Sequence, residues 1–140
     1  QLLEDYVNLA ILGHSERRKN FNETDEMIAK KVEQALTTTI TPLVCVRDEN
    51  TPVPEGCKLV AYEPVRAIGT GNPDTPENAN KMAKKLKQKY YEEVEVLYGG
   101  SVTAQNVKSF ISQENINGVL VGNASLDAEE FIKIVRECEE

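Results

Sequence analysis

Two side chains in this sequence stand where acid–base chemistry is done. Glu63 follows directly on the apolar run 58–62 (KLVAY), and a carboxylate at the edge of a buried interior needs a partner or a task. His14 is the only histidine and follows a second apolar run, 7–13 (VNLAILG). A single histidine at a strand end is more often structural than catalytic. Placed across one pocket, though, an imidazole and a carboxylate form a polarising acid and a general base, the pair that proton abstraction beside a carbonyl requires. Metal chemistry has less to work with. One His excludes a His-based metal cluster, and Cys45, Cys57 and Cys138 form no C-x-x-C pair, so no zinc site and no disulfide framework is expected.

Three glycine turns accompany these residues. Gly69-Thr70-Gly71 is not G-x-G-x-x-G and argues weakly for a dinucleotide. Gly99-Gly100-Ser101 and Gly122-Asn123 both stand where a strand turns into a helix, and bare N–H groups there suit a phosphate. Either alone is more often a plain turn. Two on consecutive strands match the phosphate site of barrel enzymes, which follows the last two strands.

The elements that position these groups are read from the apolar pattern. Strand-like runs cover 7–13, 40–46, 58–62, 94–98 and 118–121. Helical periods intervene. Residues 25–36 carry Ile28, Val32, Ala35 and Leu36 on one face with Thr24 as N-cap. Thr75-Pro76 opens a helix whose inner stripe is Ala79, Met82, Ala83, Leu86 and Tyr90. Thr103 caps a helix with Ala104, Val107 and Ile111. Asp127 caps the last, with Glu130 as capping-box partner and Phe131, Ile134, Val135 and Cys138 as inner face. Alternating strands and helices predict an α/β fold with parallel strands, either an open doubly wound sheet or about five units of a (β/α)8 barrel. Ligands of such sheets bind at the carboxyl ends of the strands. Every strand end except that of the second combines a functional group or small residues with a turn. The stretch 47–56 reads as a long loop.

Composition narrows the classes of function. At 140 residues the chain fits a single domain, 1–140, and 40% hydrophobic against 28% charged residues is an ordinary globular balance. A net charge of -7 disfavours nonspecific nucleic-acid binding, and the Lys81–Lys89 cluster reads as a solvated helix face. No apolar run approaches a membrane span, and the amino terminus has no basic and apolar leader pattern, so a cytoplasmic protein without a membrane partner is expected.

Residues 10–18 (AILGHSERR), 61–71 (AYEPVRAIGTG), 98–102 (YGGSV) and 120–126 (LVGNASL) together resemble the triosephosphate isomerase family, in its order and at compatible spacing. The resemblance runs from about Val7 to the last helix and implies part of a TIM barrel. It further implies cofactor-free interconversion of dihydroxyacetone phosphate and glyceraldehyde 3-phosphate, a step of glycolysis and gluconeogenesis. By this resemblance Glu63 is the base and His14 the neutral imidazole, a pairing for which the family is itself a known case. The Ser15 hydroxyl would hold Glu63, and Glu16 would be a supporting carboxylate. Residues 64–71 would form the family's mobile lid, whose closure is a known case of excluding water. Gly69, Ser101, Gly122 and Asn123 would bind the phosphate. Arg66 stands where the family has Trp, and Asn123 where it has a second glycine.

A whole barrel takes eight units and about 250 residues. The resemblance therefore implies a carboxyl-terminal portion, without the first three units, their Asn-x-Lys motif and the loop that makes the family's homodimer. Losing that lysine removes a preorganised charge contact, an effect of roughly 10²–10³ in rate by analogy with oxyanion-hole deletions. The chain alone is thus expected to be a poor enzyme with exposed sheet edges. A noncatalytic phosphosugar-binding or assembly module is the alternative. Another phosphate-binding barrel isomerase would explain the glycines but not 13–18 or 63–71.

Overall fold

The computed structural model of the chain describes residues 3–64, 74–90 and 93–139. Its elements run β1 (Leu9–Leu12), α1 (Ser15–Asn20), α2 (Asp25–Leu36), β2 (Thr41–Val46), β3 (Leu59–Tyr62), α3 (Pro76–Lys89), β4 (Glu95–Tyr98), α4 (Val107–Ile111), β5 (Gly118–Val119), a 3-10 turn (Asn123–Leu126) and α5 (Ala128–Glu139).

Local chemistry starts the two long central helices where it was expected to. The Thr24 hydroxyl accepts the Met27 N–H (3.3 Å) at the head of α2, and the Thr75 hydroxyl accepts the Asn78 N–H (3.2 Å) at the head of α3 with Pro76 behind it. The strands form one parallel sheet in the order β1-β2-β3-β4-β5. Neighbours in sequence are neighbours in the sheet, with no reversal of order. A doubly wound sheet reverses at a switch point and a (β/α)8 barrel does not, so the sheet is a five-strand barrel segment.

Alternation splits the side chains into two layers. Val44, Val46, Val60, Tyr62, Val96 and Tyr98 meet Ile28, Val32, Ala83, Leu86, Phe110 and Ile134 in the main core. The other face, the barrel interior, holds a small cluster of Leu43, Cys45 and Ala61 bordered by Leu59, Leu97 and Leu120. On β1, Leu9 and Ile11 are 42% and 45% exposed, because no strand covers that edge among the described residues.

Four expectations are corrected. A short helix, α1, occupies 15–20, where a strand-end loop was expected. The fourth helix begins at Val107 rather than after Thr103, because the Thr103 N–H donates to the Asn106 side chain (2.8 Å) and the segment turns first. Asp127 does cap α5 through the Glu129 and Glu130 N–H groups, but the Glu130 carboxylate accepts the Ala104 N–H (2.8 Å) instead of closing a capping box. Finally, α5 buries Ile134 alone. Phe131 (40%) and Val135 (43%) stay exposed and so does Cys138, because α5 packs on α4 and the 3-10 turn and is uncovered on its far side.

Candidate functional site

The carboxyl end of β1 turns at Gly13, whose φ of +71° belongs to the left-handed region that disfavours a side chain. Arg18 pins this turn: its Nε donates to the Gly13 carbonyl (2.8 Å) and its Nη1 pairs with Asp25 (2.6 Å). His14 then caps α1, its carbonyl accepting the Arg17 and Arg18 N–H groups (2.9 and 3.1 Å). The ring is fixed from both sides. Nδ1 accepts the Glu16 N–H (3.3 Å), and Nε2 lies 3.1 Å from Glu63 Oε1. An acceptor at Nδ1 leaves the ring proton on Nε2, so the neutral imidazole donates to the carboxylate.

Glu63 arrives from the end of β3, where its N–H donates to the Val46 carbonyl (2.8 Å). Its side chain is 2% exposed. Oε2 accepts the Ser15 N–H (3.0 Å), so both oxygens are engaged, as a buried carboxylate requires. This contact uses the Ser15 backbone and not the expected hydroxyl. Glu16 likewise serves through its N–H, and its carboxylate makes no hydrogen bond among the described residues. Beside them, burial and the Glu63 charge push the Cys45 thiol far above its ordinary range, so it stays protonated and is no nucleophile.

The ends of β4 and β5 complete the enclosure. A Cβ on Gly100 would fall 2.2 Å from the Tyr98 hydroxyl, so only glycine fits there. Tyr98 stacks on Phe110 with ring centroids 3.9 Å apart, and its hydroxyl accepts the Asp74 N–H (2.9 Å). Burial pushes the Tyr98 phenol up to about 12. Gly122 is less constrained, since a Cβ there would meet nothing. A helix directly behind Ser101 was expected; α4 starts only at Val107, and behind Gly122 stands a single 3-10 turn.

One cavity of about 1020 Å³ gathers these groups: His14, Ser15, Glu16, Glu63, Ser101, Gly122 and Asn123 all line it. Gly69 and the rest of 65–73 lie outside the described residues. Sequence reasoning passed over Arg47, which follows β2 and lines the same cavity. The signal was its place at a strand end, the one end taken to carry nothing. Among the described residues no group of three or more His, Cys, Asp and Glu is placed to hold a metal, and no helix is long and apolar enough to cross a membrane.

Parallel strands in barrel order, with their polar groups gathered at the carboxyl ends, define a protein built on part of a (β/α)8 barrel. A sequence model of the family described as triosephosphate isomerase matches residues 1–58 and 55–138. The chain belongs to that family. It is 38% identical to the triosephosphate isomerase of Mesomycoplasma hyorhinis over 154 aligned positions, which cover 96% of this chain and 63% of the relative. It is 41% identical to that of Caldanaerobacter subterraneus subsp. tengcongensis (96% and 66% covered) and 41% identical to that of Aquifex aeolicus (89% and 62%). The chain thus spans less than two thirds of the length of these relatives. The 154 positions also exceed the 140 residues of the chain, so the relative carries residues within the aligned region that this chain lacks. The two matched segments meet at 55–58, in the connection between β2 and β3.

Proposed function

We propose that this chain carries the acid–base centre of a triose-phosphate isomerase. In this reading Glu63 moves a proton between adjacent carbons of dihydroxyacetone phosphate and glyceraldehyde 3-phosphate. His14 donates Nε2–H to the carbonyl and enediolate oxygens. Ser15 and Glu16 hold the two groups through their N–H donors, and Gly69, Ser101, Gly122 and Asn123 take the phosphate. No cofactor is called for, because the step only relocates a proton. The homodimer belongs to the same proposal, by family.

The observation that carries the reading is the fixed pair. A neutral imidazole with its proton on Nε2 lies within hydrogen-bond reach of a buried carboxylate, and both face one cavity. The Nε2–H that Glu63 now accepts is the donor a substrate oxygen would take over. That exchange frees the carboxylate for the carbon acid.

The test is deuterium incorporation into triose phosphate in D2O, beside calorimetric titration with 2-phosphoglycolate, a mimic of the enediolate. Binding of the mimic and exchange that drops on the order of a hundredfold or more in Glu63→Gln support the reading. Binding with no exchange at all favours the noncatalytic phosphosugar module. Absence of both refutes the site.

A further inference from the structure

Arg47 follows β2 directly. Leu43 and Cys45 face the barrel interior and Val44 and Val46 the helices, so alternation turns Arg47 back toward the interior side. Its side chain lines the cavity and is exposed, and its charge also reaches the neighbouring Asp48, whose carboxyl it helps to lower. Its backbone is anchored, since the Arg47 N–H donates to the Thr51 hydroxyl (3.2 Å). Thr51 is 3% exposed and is itself tied to Asp48 Oδ1 through both its N–H and its hydroxyl. An exposed cation on a fixed stem is aimed by its backbone.

Strand order says at what it is aimed. His14 stands at the end of β1, Arg47 at the end of β2 and Glu63 at the end of β3. The Glu63 N–H bonds the Val46 carbonyl, which puts Arg47 beside Glu63. The Gly99–Ser101 and Gly122–Asn123 turns lie farther along, on β4 and β5. Arg47 therefore belongs to the reacting end of the cavity and not to its phosphate end. The other cations on the wall are poorer candidates. Arg18 is held in place by the Gly13 carbonyl and Asp25, and although its buried Nη2 has no partner among the described residues, its Nε and Nη1 tie it to the β1 turn and α2; Lys19 sits on α1, away from the strand ends.

We propose that Arg47 is the cation that meets the enediolate end of the ligand, its planar fork spanning two neighbouring oxygens. The proposal rests on the triose-phosphate reading of this cavity. It assigns the charge stabilisation of that end to a residue of the second strand.

The test compares ligands that share a phosphate and differ at the other end. The 140-residue chain, Arg47→Gln, Arg47→Lys and the surface control Lys84→Gln are titrated by calorimetry with 2-phosphoglycolate and with glycerol 3-phosphate, which has no carboxylate. The signal of the single histidine, followed by NMR, confirms that each variant is folded. Arg47→Gln is expected to weaken 2-phosphoglycolate on the order of tenfold to a hundredfold, as loss of a charge-assisted contact does. Glycerol 3-phosphate should change little, Arg47→Lys should restore part of the loss, and Lys84→Gln should match the parent. Equal losses for both ligands, or no loss for either, overturn the role of Arg47 while leaving the site reading intact. A parent chain that binds neither ligand overturns both.

Discussion

The connection from β1 to β2 and the connection from β2 to β3 solve one problem in two ways. Each must carry the chain back across the sheet and cover the outward faces of its strands. The first uses α2, which brings Ile28 and Val32 down on the sheet, each 1% exposed. The second, residues 47–58, contains no helix, although a (β/α)8 barrel places one after each strand. Its strands are nonetheless covered: Val44, Val46 and Val60 are at most 1% exposed, with Val53 and Cys57 packed over them. What a helix would do for the backbone is done by side chains. Asp48 Oδ1 accepts the Asn50 and Thr51 N–H groups (both 2.9 Å). The hydroxyl of Tyr90, the C-cap of α3, accepts the Val53 N–H (3.2 Å) and donates to the Thr51 carbonyl (3.4 Å). Parallel strands need cover and satisfied backbone groups, and a helix is one way to supply both. The helix-free way leaves a cavity of about 570 Å³ between α2 and the loop, lined by Leu36, Pro54 and Gly56.

If α2 covers its strands by packing, Ile28→Ala has the largest effect, a loss of about 2–5 kcal/mol in urea unfolding. Ile28 also packs on the Gly13 turn, so the His14 NMR signal is expected to shift. Where the two connections meet, Gly56 has φ +79° and a Cβ there would fall 2.8 Å from Leu36 Cδ1. Gly56→Ala is expected to cost roughly 1–2 kcal/mol by the same measurement. A value near zero would mean that the loop is free to move off α2. Tyr90→Phe, which removes only the hydroxyl, is expected to cost about 1 kcal/mol. Hydrogen exchange should quicken at Val53 and stay unchanged in α2; uniform quickening would break the distinction between the connections.

Acid sharpens the contrast further. Burial raises Glu23, but Lys31 and Arg17 on Oε1 outweigh it and hold the carboxyl below the usual range. Burial also raises Asp48, and the Asn50 and Thr51 donors outweigh it in the same way. Both folded values are depressed, so their stabilisation is present above the ordinary carboxylate value near 4 and is lost as pH falls through the lower folded values. Unfolding followed from pH 6 downward should show a steepening loss. Glu23→Gln should flatten it on the helix-bearing side and Asp48→Asn on the loop side, where Asn keeps an acceptor. The smallest effect is expected from Lys85→Gln. Its pair with Glu49 (2.8 Å) also ties the loop to α3 but is exposed and screened by water, so urea unfolding should barely move and salt should erase what change there is.

The same contrast explains what could be read from residue order. The starts of α2 and α3 were legible because Thr24 and Thr75-Pro76 act within one turn. The inner face of α5 was not, since Phe131 and Val135 are apolar whether or not a neighbour covers them. Glu130 answered Ala104, 26 residues away, and not its own cap. In the site, His14 and Glu63 were legible as types at strand ends. Ser15 and Glu16 were placed in the site, but as side chains, whereas their contribution is backbone N–H. Arg47 carried no motif and was missed.

Sequence by itself determined the strand runs, the caps of α2 and α3, and which residue types stand at the carboxyl ends, because these follow from periodicity and short-range hydrogen bonding. Only the tertiary structure decided that Nε2 of His14 meets Oε1 of Glu63, that the strand ending at Arg47 lies between theirs, and that residues 47–58 cross the sheet without a helix. Each of these depends on strand register and on which surfaces pack together, and both are fixed by contacts between residues far apart in the chain.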